Sequence, residues 1–189
     1  MRPAPTPWKS CQRWLGGLAV AILAMAFAQA QAPVDEAVVE AAYLHKFPGF
    51  VDWSADAFKT PDSPIVIGVA GAPRVLEELA KVARGRLVLG RPVEARAISA
   101  ADLPRDIHVL FIGKDAGAEA KILMEEARKA HVLTVTDLPA GLKVGAVLDF
   151  VQVDGRLRFE ASLAAAHRAE VKLSSKLLSV AARVVEEAP

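Results

Sequence analysis

Ile65-Val66-Ile67-Gly68-Val69-Ala70 is an uncharged run rich in β-branched residues, bounded by Pro61-Asp62-Ser63-Pro64 before it and Gly71 after it. A strand with one wet face alternates apolar and polar positions, whereas this one is apolar on both faces, as a central strand of a parallel sheet is. Working outward, Val75 to Arg84 places Val75, Leu76, Leu79, Val82 and Ala83 at helical spacing, and Pro92 to Ile98 alternates as a second strand. Ile107 to Ile112 and Val132 to Val135 read as two further buried strands, separated by a helix from Ala116 to Ala130. The rhythm then changes. Val144 to Val153 and Arg156 to Phe159 are joined by Asp154-Gly155, a dipeptide suited to the φ > 0 positions of a two-residue hairpin turn. Ala161 to Ala169 and Ser174 to Val185 close the chain as helices, the second with Ser174 or Ser175 as N-cap. The order predicts an α/β fold: a mostly parallel sheet flanked by helices, with an antiparallel C-terminal hairpin strand.

Upstream of the central strand, AAYLHKFPGFVDWSADAF (41–58) holds Tyr43, Phe47, Phe50, Trp53 and Phe58. The first four recur at spacings of four, three and three, which puts them on one face of a helix and argues for the first core helix. Pro48 interrupts it: inside a helix it would remove the hydrogen bond to the carbonyl of Leu44 and clash with that turn, so a kink or an end is expected near Phe47. Trp53, beside Asp52 and Ser54, is the aromatic residue expected to stay partly exposed, and its indole N–H needs an acceptor if buried.

The amino-terminal segment sets the compartment. Met1 to Arg13 carries Arg2, Lys9 and Arg13 without an acid, Leu15 to Phe27 is uncharged, and Ala28-Gln29-Ala30-Gln31-Ala32 offers overlapping small-x-small sites. This is the pattern of a cleaved signal peptide over 1–30, and the apolar run falls short of the roughly 20 residues needed to span a bilayer. Cleavage after Ala30 keeps Pro33 away from the scissile bond. The lone cysteine, Cys11, precedes the apolar run, so residues 31–189 form a single domain without thiol catalysis, a disulfide or cysteine-held metal. The leader removes three of the 23 Lys+Arg residues, leaving 20 against 22 Asp+Glu, and no basic field for nucleic acid survives.

Taken together, AAYLHKFPGFVDWSADAF, IVIGVAG, LGRPVEAR, HVLFIGKD, VLTVTDLPAG and GAVLDFVQVDGRLRFEASLAAAHRAEVKLSSKLLSVA resemble, in order and spacing, the YfiR family of small exported bacterial proteins. The resemblance implies a periplasmic α/β domain that dimerises and restrains a membrane-bound diguanylate cyclase through its periplasmic sensor region, and so a regulator of cyclic di-GMP and biofilm formation, not an enzyme. The chain departs from the family in three places: Asp149 and Ser162 stand where Asn is common, and Pro48 where proline is unusual. The best-known member also depends on disulfides that this chain cannot form.

The residues themselves offer no catalytic constellation. His45, His108, His131 and His167 lack helical metal-ligand spacing, and His108 and His131 begin buried strands as structural histidines would. Ser174-Ser175-Lys176 lacks the Ser-x-x-Lys spacing, there is no Gly-x-Ser-x-Gly or phosphate loop, and Gly68-Val69-Ala70-Gly71 lacks the third glycine of a dinucleotide fingerprint. No cofactor and no metal are expected.

Two surfaces remain. In open parallel sheets ligands bind beyond the carboxyl ends of the strands, here Gly71, Arg74, Gly113, Lys114, Thr136 and Asp137, where Arg74 and Lys114 would meet a small anion, or else form a solvated rim. The alternative function is accordingly a periplasmic small-anion-binding sensory module. The tail gathers Arg156, Arg158, Arg168, Lys172 and Lys176, which with Trp53 would either steer docking to an acidic partner or simply be solvated.

Overall fold

A computed structural model describes residues 35–54, 56–101 and 106–186; the expected leader over 1–30 lies outside them. The first helix, α1 (Glu36–Lys46), is capped by Asp35, whose carboxylate accepts from the Ala37 N–H. It stops where Pro48 requires: the α-helix gives way to a 3₁₀ turn, Phe47–Phe50, with the proline in its first turn. The expected end near Phe47 is thus found. There follow β1 (Ile65–Ala70), α2 (Pro73–Ala83), β2 (Leu87–Val88), β3 (Arg91–Ala97), β4 (Val109–Ile112), a 3₁₀ turn Lys114–Ala116 and α3 (Glu119–Lys129). The chain continues through β5 (Leu133–Thr136), β6 (Leu148–Val153), β7 (Arg156–Ser162), α4 (Leu163–Arg168), α5 (Ser175–Val180) and β8 (Arg183–Val185).

The eight strands make one sheet in the order β2-β3-β1-β4-β5-β6-β7-β8. β3, β1, β4, β5 and β6 run parallel, and the β6–β7 hairpin is antiparallel, turning at Asp154 and Gly155 with φ of 51° and 70°. The α/β expectation holds. β1 is buried along its whole length because both faces are covered: Ile65, Ile67 and Val69 point to the side of α1, α2, α4 and α5, and Val66 and Ala70 to that of α3.

Several boundaries differ from the sequence expectation. The helix expected from Ala116 starts at Glu119, because Gly117 adopts φ 53° and separates it from the 3₁₀ turn. The strand expected from Val144 starts at Leu148, Gly141 to Gly145 forming a tight turn instead. β7 runs on to Ser162, which then caps α4 by accepting from the Ala165 N–H. The helix expected to reach Val185 stops at Val180: Ala182 N–H donates to Phe159 O, and Arg183–Val185 becomes a strand parallel to β7. The β2–β3 hairpin was not anticipated, since its turn sets Leu89 as well as Gly90 at positive φ, 53° and 76°, a conformation leucine does not advertise.

The aromatic face divides at the proline. Tyr43 and Phe47 stack with centroids 5.6 Å apart and meet Phe150 and Phe159, while Phe111 reaches Phe150 from β4. Phe50 and Trp53 leave the helix and are only partly buried. Their segment is tied to the tail instead: Asp52 N–H donates to Lys172 O, Ser174 N–H donates to Phe50 O, and Val51 bridges Leu173.

Candidate functional site

The strand order changes direction beside β1: β3 lies on one side of it and β4 on the other, so the loops after β1 and β4 lead to helices on opposite faces of the sheet. This is where open sheets form their crevice. In this chain the two loops clasp one another, Gly113 N–H donating to Ala70 O and Asp115 N–H to Gly71 O. A Cβ at Gly71, itself at φ +62°, would lie 2.0 Å from Ala116 N, and one at Gly113 would lie 2.5 Å from Gly71 O. Both glycines serve this clasp.

Beside it opens a cavity of about 360 Å³, walled by the start of α1, the β1–α2 turn, the loop after β4 and the end of β5. Of the six residues chosen from sequence, Gly71, Arg74, Lys114 and Asp137 line it. Thr136 is fully buried beneath, donating through Oγ1 to Ile112 O and accepting from Leu138 N–H. The two cations are already engaged, Arg74 with Asp35 at 2.5 Å and Lys114 with Asp137 at 3.4 Å. Acids outnumber them: Asp35, Glu36, Glu40, Asp115 and Asp137 all line the cavity. An anion entering here would have to displace carboxylates and then face more of them.

Glu40 is the residue that the sequence reading missed. It lies one turn before Leu44 on the buried stripe of α1, is 3% exposed, and its Oε1 has no hydrogen-bond partner among the described residues. Burial first, and then the neighbouring charge of Asp137, pushes its carboxyl up to about 8. Asp137 is likewise raised by burial, against the pull of Lys114, and its Oδ1 is also unpartnered. Lys114 is raised by the Asp137 charge. The signal was available, because an acid in register with Leu44 and Phe47 sits on the core face of an amphipathic helix.

At the opposite end of the sheet a second concavity of about 410 Å³ is lined by Trp53, His108, His131 and Glu170 among others. Trp53 is half-buried; its indole N–H donates to Pro48 O at 2.9 Å, and its ring meets His108 and Phe58 edge-on. His108 Nδ1 accepts from Val66 N–H, which leaves Nε2–H to donate to Ala57 O and fixes a neutral, structural imidazole. Burial accordingly lowers its pKa. His131, by contrast, is exposed in a positive-φ turn. The basic residues of the tail occupy several elements: Arg156 and Arg158 on β7, Arg168 ending α4, Lys172 beside the Trp53 segment, and Lys176 on α5. All five are exposed, and Arg158 donates to Val180 O. Among the described residues no group of three His, Cys, Asp or Glu could hold a metal ion, and no helix is long and apolar enough to cross a membrane.

Comparison with known proteins agrees with this architecture. No curated protein matches the sequence. A solved conserved domain protein from Vibrio cholerae O1 biovar El Tor strain N16961 shares the fold with a TM-score of 0.55 at 11% identity, over 81% of this chain and 61% of that one. The family model described as DUF4154, YfiR/HmsC-like, matches residues 37–182, from the first turn of α1 to the start of β8. By that match the chain belongs to the YfiR/HmsC-like family.

Proposed function

We propose that this protein is a periplasmic regulator that binds the periplasmic sensor region of an inner-membrane diguanylate cyclase and holds the enzyme in its inactive state, lowering cyclic di-GMP and biofilm formation. The observation that carries the reading is membership of the YfiR/HmsC-like family across nearly all of the described residues. Restraint of this kind needs no chemistry in the regulator, only better binding to one conformation of the partner than to the other. The leader-like amino terminus supplies the compartment. The docking surface in this reading comprises Trp53 and Lys172, which the Asp52–Lys172 hydrogen bond brings onto neighbouring segments, with Arg156, Arg158, Arg168 and Lys176 steering an acidic partner. The protein acts as a homodimer.

Deletion of the gene is expected to raise cyclic di-GMP and biofilm, and crosslinking in intact cells to capture a membrane cyclase. Unchanged cyclic di-GMP in the deletion strain, with the captured cyclase present and active, overturns the proposal. A Trp53→Ala, Lys172→Glu double variant that folds and still represses fully would move the docking surface elsewhere.

A further inference from the structure

The cavity at the carboxyl ends of the strands has no part in the proposed docking surface. Its wall holds two nearly buried carboxyl groups, Glu40 and Asp137, each with an oxygen that no described group hydrogen-bonds. Buried polar atoms are normally paired, and each one left unpaired costs stability. The chain's own cation does not complete the site: Lys114 reaches only Asp137 Oδ2, at 3.4 Å, beyond an ordinary hydrogen bond, with its side chain 63% exposed. Arg74 is engaged by Asp35 at the rim, and Glu36 takes a hydrogen bond from Gln152 Nε2 of β6.

We propose that this cavity binds a small organic ammonium ion, whose N–H donors pair with the carboxylates of Glu40 and Asp137 as Lys114 swings into solvent and opens the way to the two oxygens, which are closed off from solvent in the empty cavity. A divalent metal fits less well. It requires several oxygens converging on one point, which no three acidic side chains provide here, and Lys114 would repel it at close range. An ammonium ion needs fewer: two carboxylate acceptors at about 2.8 Å hold it, with its remaining N–H left to solvent. A volume of about 360 Å³ lies at the lower end of small-ligand pockets, which suits a diamine or a ligand the size of an amino acid. This inference is independent of the cyclase reading, since it concerns the purified chain alone.

The test uses the protein as exported, with 1,4-diaminobutane as the probe in low-salt buffer, read by calorimetry and thermal shift. Binding with a rise of several degrees in Tm is expected, falling at least tenfold in affinity in both Glu40→Gln and Asp137→Asn. Lys114→Ala removes a competing cation and is expected to leave the affinity unchanged or increase it. Affinity should also strengthen from pH 6 to pH 9 in the parent as Glu40 gives up its proton, and this gain should vanish in Glu40→Gln; Asp35, Glu36, Asp115, Asp137, Arg74 and Lys114 face the same space. Four results overturn the proposal: no heat and no thermal shift, equal binding by both carboxyl variants, weaker binding in Lys114→Ala, or equal binding of tetramethylammonium, which has no N–H to donate.

Discussion

Asp149 stands on β6 at the level of Thr136, is 4% exposed, and lies under the Gly141 turn, where a Cβ on Gly141 would come within 2.4 Å of its Oδ1. Burial pushes its carboxyl up to about 7 from an ordinary 3.8. Over that interval the folded chain keeps a proton that the unfolded chain releases. The stability this proton confers is therefore complete below about pH 4 and lost as the pH rises through about 7. Asn has no charge to desolvate. Asp149→Asn is expected to match or exceed the parent in urea melts at pH 8, with the gap narrowing toward pH 4 by no more than about 1.4 kcal/mol per pH unit. A gap that does not change with pH would mean that the carboxyl is ionised throughout. The same reasoning explains what was legible of the crevice. Arg74, Lys114 and Asp137 could be read from strand ends alone, but their pairing with Asp35 and with one another is a tertiary fact that leaves neither cation unengaged.

Among the elements, α1 shows how a single residue divides a pattern that looks continuous. Helical spacing ran from Tyr43 to Trp53, yet the proline stops the helix and only Tyr43 and Phe47 enter the cluster with Phe150 and Phe159. Phe47 is 1% exposed, so truncating it leaves a cavity among aromatic rings; Phe50 is half-buried beside the tail. Phe47→Ala is expected to cost about 3–5 kcal/mol and Phe50→Ala less than half of that, measured as midpoint shifts in urea at constant m. Similar losses at the two sites would show that the first four aromatic residues share one face after all. The tail is the counterpart. Ser174 to Val185 has the length and cap of a helix, but its last residues are β-branched and find an open edge on β7, where Arg183 also pairs with Glu160. Nothing local announces that edge, because it exists only once the hairpin has joined the sheet. The central strands were legible for the opposite reason: burial on both faces writes itself into the composition of Ile65–Ala70 directly.

For the molecule as a whole, Cys11 is the single cysteine of the sequence, so its stability has to come from packing without an intrachain disulfide. Small exported domains often compensate for a thin core with disulfides, whereas a domain of about 150 residues or more buries roughly 70% of its unfolded surface and does not need them. This chain places a separate apolar layer on each side of its sheet. Phe47, Phe111 and Phe159 lie with α1, α2, α4 and α5 on one side, and Leu110, Ile112 and Leu123 lie with α3 on the other. Neither layer depends on a covalent tie, so the redox state of the compartment has nothing to act on. The Tm of the exported protein is accordingly expected to be the same within about 1 °C with and without dithiothreitol, and its level in cells lacking periplasmic disulfide catalysts to equal that in the parent strain. A single cysteine cannot form an intrachain bond. A drop of several degrees on reduction would therefore require Cys11 to be retained and to link two chains, against the expected cleavage of the leader.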